Sequence, residues 1–295
     1  MSKNAIKLKS YAKINLYLNI KEKFDDGYHS IESIMQTINL FDVIYLEETD
    51  NFGIHITCNN PEIPVDKNSI IHRTAEILME NIDKGINIFI DKKIPIASGL
   101  GGGSSNIATI LIGISKLFDL KLNKNQLIYI GSHFGMDIPF FMVRGTVFAR
   151  GRGEIVLPLK PISPSVSMIL INPGIKVSTQ WAYHIYDKLG KNNVKEGIDI
   201  NNFLGKSMEI KPTELSKIIY NSFDSILSEQ FSIIEQIKNK LKKLGSIAVA
   251  VTGSGSTVYG IFDREEKVNQ VYNMIKYEYP FVYKTRTIQA KNIFL

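Results

Sequence analysis

The segment PIASGLGGGSSNIATILIGISKLF, residues 95–118, contains four glycines within five positions and then turns strongly apolar. Its apolar residues recur at steps of three and four, which predicts an amphipathic helix. They are Ile107, Ile110, Leu111, Ile114, Leu117 and Phe118. Ser104, Ser105 and Asn106, which follow the glycines, are residue types that cap a helix at its N-terminus. Alternating isoleucines over residues 86–90 predict a strand before the loop.

A strand, a glycine loop and a capped helix in this order predict a cradle for a phosphate group. Glycine exposes backbone N–H groups at close range, and the start of a helix adds the positive end of its dipole. A flexible linker is the alternative interpretation, but a linker requires neither the strand nor the helix. The loop matches neither of the two common glycine-rich phosphate loops, the Walker loop and the dinucleotide-binding loop. Ser104 stands where a Walker loop has lysine and where the dinucleotide pattern G-x-G-x-x-G has its last glycine.

The composition is that of an ordinary globular protein. The chain has 295 residues, 44% of them hydrophobic and 22% charged, which allows two domains with proper cores and argues against disorder. No apolar run approaches the roughly 18 residues of a membrane span, and the first residues alternate at once. We therefore expect no membrane association and no signal peptide. Cys58 is the only cysteine, which excludes an internal disulfide and fits a reducing cytoplasm.

The formal charge of +6 does not by itself indicate a nucleic-acid partner. The lysines are scattered or lie in helical patterns such as IEQIKNKLKKLG, residues 234–245, where cations near a helix C-terminus are favourable. A protein that handles anionic small molecules would carry the same charge. The sequence also lacks the aromatic and basic strand pattern of RNA-recognition domains. We therefore expect no nucleic acid as a partner.

The pattern along the chain predicts an α+β protein with two domains. The first half is expected to contain strands, helices and a hairpin-like pair. The strands cover residues 6–20, 30–38, 41–48, 52–58 and 86–91, the helices 67–81, 104–118 and 123–134, and the pair 143–157. The proline-rich segment 158–165 is the predicted boundary, which gives domains at 1–157 and 165–295. The second half should contain a strand at 166–172, helices between 178 and 244, two strands around a glycine turn, a helix and a final strand.

The segment YAKINLYLNI, residues 11–20, alternates between apolar and polar side chains. Lys13 and Asn15 are therefore predicted to lie on the same face of a strand whose other face is apolar. Taken alone, the segment favours a surface lysine on a half-exposed sheet. A role in binding or catalysis is the alternative.

Three further segments suit either structure or chemistry. In GMDIPFF, residues 135–141, Asp137 stands where a carboxylate caps a helix, and it could also accept a proton from a substrate hydroxyl. In DDGYH, a turn is followed by Tyr28 and His29, which could stack on and hydrogen-bond a flat heterocycle or be ordinary surface residues. TGSGST, residues 252–257, is either a plain β-turn or a set of amides and hydroxyls that closes over a phosphate.

Several chemistries find no support in the sequence. The five histidines and the single cysteine do not have the spacing of H-E-x-x-H or C-x-x-C metal sites. No G-x-S-x-G nucleophile elbow is present.

Taken together and in order, the segments resemble the GHMP family of small-molecule kinases. They are AKINL at 12–16, DGYH at 26–29, PIASGLGGGSSN at 95–106, GMDIPFF at 135–141 and TGSG at 252–255. The resemblance covers nearly the whole chain. It is closest to the branch of the family that phosphorylates a cytidine-diphosphate-linked methylerythritol in non-mevalonate isoprenoid biosynthesis. It therefore implies transfer of the γ-phosphate of ATP to a hydroxyl of that small molecule.

Carried over position by position, the resemblance implies a catalytic pair. Asp137 would draw the proton from the attacking hydroxyl, and Lys13 would hold that carboxylate and neutralise developing charge. Phosphoryl transfer depends on positioning and charge neutralisation more than on covalent catalysis, so these residue types suit it. The implied ATP site is the loop with two outlying residues. Its members are Pro95, Ile96, Ala97, Ser98, Gly99, Leu100, Gly101, Gly102, Gly103, Ser104, Ser105, Asn106, Asn68 and Lys92.

The resemblance also implies a pocket for the cytidine-linked substrate. Tyr28 and His29 match the pair that reads cytosine, and a second aromatic ring is expected from Tyr183, with Trp181 as the alternative. The other residues implied at this site are Asn15, Thr252, Gly253, Ser254 and Gly255.

The sequence departs from the family in two places. Ala97 and Ser98 stand where some relatives have glycine, so we expect a stiffer start to the loop. Arg150 stands at a place that is often acidic or neutral in relatives, and neither it nor Arg152 receives a role. Mg²⁺ is expected to accompany ATP, but no carboxylate is assigned to it.

The fold implied by the resemblance is the two-domain GHMP kinase fold. Its N-terminal domain resembles domain 2 of ribosomal protein S5, and its C-terminal domain is ferredoxin-like. Another GHMP kinase, of the homoserine or mevalonate type, is the nearest alternative, although DGYH does not suit it. A nucleotide-binding module without catalysis is the other, although both Lys13 and Asp137 are retained. The chain is expected to be a monomer or a weak homodimer.

Overall fold

A computed structural model describes residues 4–162, 165–189 and 212–290. They form two compact units, and neither unit is a continuous segment. The first contains the described part of Met1–Ala12 together with Leu40–Ile94 and Gly101–Val143. The second contains Lys13–Asn39, Pro95–Leu100 and the described part of Arg144–Leu295. The domain limits 1–157 and 165–295 stay a prediction, and part of the proline-rich boundary, residues 163–164, lies outside the described residues.

The first half of the chain alternates strands and helices. In order, the elements are β1 Ala5–Lys23, β2 His29–Thr49, β3 Ile54–Cys58, α1 Ile70–Met79, β4 Gly85–Asp91, α2 Gly102–Leu117, α3 Lys124–Ser132 and α4 Ile138–Val143. In the first unit β4 pairs in parallel with β3 and antiparallel with β2, from Val43 opposite Asp91 to Thr49 opposite Gly85. Strand β1 lies next to β2. Helices α1, α3 and α4 each contact α2, which makes α2 the central helix of this unit.

Two expectations about the first strands were wrong. Residues 30–38 and 41–48 belong to one strand, β2, because the two residues between them include no glycine or proline to turn the chain. The half-exposed sheet expected at residues 11–20 is also absent: every side chain from Ser10 to Ile20 is buried, on both faces of β1. Alternation of apolar and polar residues indicates two different faces, but it does not establish that the polar face meets water.

The glycine loop leads into a helix, as predicted, but the helix begins earlier than the expected cap residues. Gly101 is the N-cap residue, with φ of 71°, and it makes no side-chain cap bond. Ser104, Ser105 and Asn106 therefore lie inside the first turns of α2, and their predicted capping role is wrong. A left-handed N-cap favours glycine, since other residues rarely adopt positive φ. By contrast, Asn123 caps α3 through a reciprocal capping box with Gln126.

The second half of the chain begins with a hairpin and continues into a ferredoxin-like arrangement. The elements are β5 Thr146–Gly151, β6 Ile155–Pro158, β7 Ser167–Asn172, α5 Thr179–Leu189, α6 Pro212–Leu215, β8 Tyr220–Asn221, α7 Asp224–Gln230, α8 Ser232–Lys243, β9 Ala248–Val251, β10 Val258–Ile261, α9 Glu265–Ile275 and β11 Phe281–Arg286. The predicted helices between 178 and 244 fall partly on residues 190–211, outside the described part of the chain.

The antiparallel sheet of this half has the strand order β11-β7-β10-β9. Each of its pairs is antiparallel, and helices connect β7 to β9 and β10 to β11. This order and these connections are those of a ferredoxin-like domain, which confirms the prediction. Strand β8 lies outside this sheet and pairs in parallel with β1, with Leu18 opposite Asn221. Within the described residues, no helix is long and apolar enough to cross a bilayer.

Candidate active site

Lys13 lies in a polar cluster inside the second unit. The residue is only 4% exposed, and its Nζ donates to Asn15 Oδ1 at 2.6 Å, which confirms that the two side chains share one face of β1. Asn15 in turn donates from Nδ2 to Ser33 Oγ at 2.8 Å. An ammonium group buried to this degree loses most of its hydration, so it has to be held by polar neighbours. The interpretation of Lys13 as a surface lysine is therefore wrong.

The turn between β9 and β10 contacts this cluster. The backbone N–H of Asn15 donates to Thr252 Oγ1 at 3.0 Å. Thr252 Oγ1 also lies 3.3 Å from the carbonyl oxygen of Gly99. A Cβ atom added to Gly253 would lie 3.2 Å from Lys13 Nζ and 3.0 Å from the carbonyl oxygen of Gly99. The structure thus brings together Lys13, Asn15, Gly99 and the TGSG turn, which are distant in sequence.

The first half of the glycine loop is anchored within the same unit. Gly99 has φ of 78°, and a Cβ atom at this position would lie 2.0 Å from the carbonyl oxygen of Thr252, so only glycine fits. Lys13 donates its backbone N–H to the carbonyl of Leu100 at 3.0 Å. Ser98 donates from Oγ to the carbonyl of Pro95 and accepts at its own carbonyl from the N–H of Thr257. The loop is held by backbone contacts at these points.

The remaining predicted residues of the half-loop and of the TGSG turn have the following surroundings. Ala97 has φ of 49°, a left-handed conformation that is costly for a residue other than glycine. Its neighbour Ile96 is half-buried. In the turn, Ser254 Oγ lies 3.1 Å from Thr179 Oγ1, and a Cβ atom at Gly255 would lie 2.8 Å from a side-chain carbon of Leu227.

The second half of the loop belongs to the first unit and forms the start of α2. Because a helix leaves its first N–H groups without intrahelical partners, the amides near Gly102, Gly103 and Ser104 are available to an anion. Ser105 and Asn106 are both buried and face the inside of this unit. Ser105 donates from Oγ to the carbonyl of Tyr11, and Asn106 Nδ2 lies 2.9 Å from Ser10 Oγ. In this arrangement these two side chains hold the helix in place.

A buried ion pair lies beside the start of α2. Lys92 Nζ donates to Asp42 Oδ2, and both side chains are almost entirely buried. Asp42 also accepts from Asn106 Nδ2 at 2.8 Å and from the backbone N–H groups of Lys93 and Ile94. A Cβ atom at Gly102 would lie 2.7 Å from Lys92 Nζ, which places the ammonium against the helix N-terminus. The carboxylate of Asp42 compensates a concentration of positive charge that would otherwise be unfavourable.

Asp137 and Asn68 lie at the beginnings of helices in the first unit. Asp137 is half-buried and directly precedes α4. Its turn lies near the start of α2, since a Cβ atom at Gly135 would be 3.8 Å from Ser104 Oγ. Asn68 is exposed and precedes Ser69, the N-cap residue of α1.

His29 lies in a separate cluster of the second unit. Its ring stacks on Tyr183, with a centroid distance of 5.0 Å and an interplanar angle of 18°. Its Nε2 lies 2.7 Å from Asp187 Oδ1, and because an ionised carboxylate only accepts, Nε2 carries the hydrogen. Trp181 packs instead against Phe231. Of the two aromatic candidates, Tyr183 is therefore the one at His29.

Tyr28 has a different environment from His29. Its side chain is 51% exposed, whereas His29 is only 6% exposed. The Arg152 guanidinium lies 5.0 Å from the centre of the Tyr28 ring and forms an ion pair with Asp26. The structure thus gives Arg152 a contact that the sequence did not suggest, a cation over one face of Tyr28.

Three carboxylates and amides of these clusters were missed by sequence reasoning: Asp42, Asp187 and Asn221. Asn221 donates to the carbonyl of Val251, just before the TGSG turn, and to that of Gly253 within it. None of the three belongs to a motif that matched the family. Each is defined by partners at least 30 positions away, so no local pattern could reveal it.

The close approach at Gly99 predicts that Gly99→Ala lowers the free energy of unfolding by more than about 2 kcal/mol, because the new methyl group collides with the backbone of Thr252. Gly103→Ala is the matched control. It lies in the same loop, inside α2, and its Cβ atom would have no neighbour within 4 Å, so it should change stability by less than about 1 kcal/mol. Urea unfolding measures both. Equal effects of the two substitutions would contradict the contact.

The Asp187 cluster predicts a stability contribution that depends on pH. Burial acts to raise the pKa of Asp187, but the hydrogen bonds from Lys23 and His29 outweigh it and leave this pKa below its ordinary value. The contribution should therefore be complete above the unfolded-state pKa of about 3.9 and disappear as the pH falls through the lower folded-state pKa. We expect Asp187→Asn to lower the free energy of unfolding by about 0.2–1 kcal/mol at pH 6, and less at pH 3. Asp83→Asn, at an exposed carboxylate, is the matched control for the substitution itself. A loss at Asp187 that is the same at both pH values would contradict the assignment.

Comparisons with known proteins agree with these features. The model of the GHMP kinases N terminal domain matches residues 69–145, and that of the GHMP kinases C terminal region matches residues 207–280. A relative from Thermoanaerobacter pseudethanolicus is 36% identical over 285 residues, 96% of each chain. One from Clostridium perfringens (strain ATCC 13124) is 33% identical over 98% of this chain and all of its own. Both are named 4-diphosphocytidyl-2-C-methyl-D-erythritol kinase.

A solved structure shares the fold. The crystal structure of a 4-(cytidine 5'-diphospho)-2C-methyl-D-erythritol kinase superposes with a TM-score of 0.78 at 24% identity, covering 96% of this chain and 99% of that one. The two family models, the relatives at more than 30% identity and the motifs that they span lead to one conclusion. The chain belongs to the GHMP kinase family.

Proposed function

We propose that the chain transfers the γ-phosphate of ATP to the 2-hydroxyl of 4-diphosphocytidyl-2-C-methyl-D-erythritol, in non-mevalonate isoprenoid precursor biosynthesis. The names of relatives with 33–36% identity over nearly the full length support this substrate. The reaction is an ATP-dependent phosphotransfer to an alcohol. Its setting would be the cytoplasm, with the chain a monomer or a weak homodimer.

The observation that carries the proposal is the position of the Lys13 ammonium beside the glycine backbone. The ammonium is buried and donates to Asn15 Oδ1 at 2.6 Å, and a Cβ atom at Gly253 would lie 3.2 Å from it and 3.0 Å from the carbonyl oxygen of Gly99. Phosphoryl transfer builds negative charge on the oxygens of the transferred group. A fixed cation with few waters around it stabilises such charge more strongly than a solvated one does.

Asp137 is the proposed acceptor of the hydroxyl proton. It stands at the start of α4, in a turn near the N-terminus of α2, and remains half-buried. Removal of the proton makes the hydroxyl oxygen a better nucleophile, and a carboxylate within hydrogen-bond reach of it suffices for that step. The non-bonding pair of that oxygen then forms the new P–O bond as the bond to ADP breaks.

The proposed ATP site is the glycine loop with the start of α2. The amides near Gly102 to Ser104 would bind phosphate oxygens, and the ammonium of Lys92 lies against the same helix end. Asn106 and Lys92 would support this site from inside the protein, since each donates a hydrogen bond to the carboxylate of Asp42. Asn68 is exposed at the start of α1 and is proposed to contact the nucleotide directly.

The cytosine of the acceptor is proposed to be read by Tyr28, His29 and Tyr183. His29 and Tyr183 already stack on one another, and Asp187 fixes which ring nitrogen of His29 carries the hydrogen. The exposed ring of Tyr28 offers a second aromatic surface. Asn15 and the TGSG turn would line the part of the pocket near Lys13.

Mg²⁺ is proposed to accompany ATP. In the described part of the chain, no group of three or more His, Cys, Asp or Glu side chains could hold a metal ion. Mg²⁺ commonly keeps several waters and binds through substrate phosphates with one or two carboxylates. We therefore assign no residue to it and derive no step through it.

A test of acceptors decides the function. Purified protein and ATP are offered the cytidine-linked methylerythritol, its uridine-linked analogue, homoserine and mevalonate in parallel, and ADP release is measured. We expect kcat/KM for the cytidine-linked compound to exceed that for every other acceptor by at least about 100-fold, because a site built to hydrogen-bond a substrate group rejects analogues that lack it. Equal turnover of homoserine or mevalonate would favour another GHMP kinase. ATP binding without turnover of any acceptor would favour a module that lacks catalysis.

A further inference from the structure

Asn221, at the end of β8, joins three backbone groups through one side chain. It is 4% exposed, and its Nδ2 donates to the carbonyls of Val251 at 2.8 Å and Gly253 at 2.9 Å. Its Oδ1 accepts from the N–H of Phe223 at 2.9 Å. The bond to Phe223 is a local turn contact, as asparagine often makes. The bonds to Val251 and Gly253 span 30 and 32 residues and serve no local turn.

Asp224 adds a further hydrogen bond to the backbone at the same turn. Its Oδ1 accepts from the N–H of Val251 at 2.9 Å, and its Oδ2 accepts from the buried ammonium of Lys238. The N–H of Val251 and the carbonyls of Val251 and Gly253 are thus all bound by the segment NSFD, residues 221–224. Because a buried backbone group without a partner is costly, these bonds fix where the TGSG turn lies.

The TGSG turn also fixes the position of the Lys13 side chain. Thr252 lies between Val251 and Gly253, and its Oγ1 accepts from the N–H of Asn15 at 3.0 Å. Asn15 Oδ1 in turn accepts from Lys13 Nζ at 2.6 Å. A Cβ atom at Gly253 would lie 3.2 Å from Lys13 Nζ, so the backbone of Gly253 borders the ammonium. The hydrogen-bonded path from Asn221 to the ammonium therefore runs through the turn to Thr252 and Asn15, and the backbone of Gly253 lies beside it.

We propose that Asn221 is a positioning residue for phosphoryl transfer, holding the TGSG turn so that Lys13 meets the transferred group. The proposal rests on the function proposed above. Its effect should appear in the chemical step, since a displacement of about 1 Å at a reacting group can cost about 100-fold in rate. The side chain of Asn221 is enclosed by the protein, so it is not expected to contact either substrate directly.

The test uses two variants of the full chain and a matched control. Asn221→Asp keeps the shape and the acceptor to Phe223 but replaces the two donors with an oxygen that faces two carbonyls. Asn221→Ser removes the reach to both carbonyls. Ser222→Ala is the control: Ser222 is the next residue, and its Oγ accepts from the N–H of Ile20, away from the turn.

We expect both Asn221 variants to lose about 100-fold in kcat with KM for ATP changed by less than about 3-fold, while Ser222→Ala stays within about 3-fold of the wild type. In a Lys13→Met background, measured under single-turnover conditions, Asn221→Asp should cost less than about 3-fold more, because residues that act as a unit are not additive.

Three results would overturn the proposal. The first is an unchanged kcat in both Asn221 variants. The second is a full 100-fold loss when Asn221→Asp is added to the Lys13→Met background. The third is loss of the folded state in both Asn221 variants, which would make Asn221 a stability residue. Wild-type turnover of the cytidine-linked acceptor is measured first. Its absence would refute the proposed function, whereas failure of the positioning role leaves that turnover intact.

Discussion

In the second unit, the arrangement of the candidate site depends on one contact between main chains, that of Gly99 with Thr252. No side chain fits between them, since a Cβ atom at Gly99 would lie 2.0 Å from the Thr252 carbonyl oxygen. Gly99 is therefore needed for packing, whereas Gly103 in the same loop has room for a side chain. This contact brings the glycine loop, the TGSG turn and the Lys13 strand to one place, although they lie far apart in the sequence.

The site in each unit contains a buried lysine, and the two lysines are placed differently. Lys92 is paired with the fully buried Asp42 beside a helix N-terminus. Lys13 is bound to the amide of Asn15 among glycines. Burying an ammonium group costs several kcal/mol of free energy before any partner compensates it, so such groups are retained where structure or chemistry requires them. Lys92 is held by a carboxylate at a helix N-terminus, where it adds positive potential, and Lys13 lies beside the glycine backbone and the TGSG turn, where we propose that it meets the transferred group.

Local patterns predicted those parts of the structure that depend on near neighbours. The alternation in YAKINLYLNI placed Lys13 and Asn15 on one face, and the spacing after the glycines predicted α2. The same patterns failed where distant parts of the chain decide. They could not show that the Lys13 face of β1 is buried, because other strands and the TGSG turn cover it. They assigned capping to Ser104, Ser105 and Asn106, whereas Gly101 takes that position because its backbone adopts positive φ.

The central claim is that Lys13 is buried for catalysis and not for stability. Its most direct test is to measure the urea unfolding and the turnover of Lys13→Met in parallel. The methionine keeps the length of the lysine side chain and removes the cost of burying a charge, while Asn15 Oδ1 loses a donor, so we expect the free energy of unfolding to change by less than about 2 kcal/mol. We expect kcat to fall by about 1000-fold, as it does when a charge-stabilising donor is removed from an active site. A variant that keeps its turnover, or that loses turnover only in proportion to its unfolded fraction, would contradict the account.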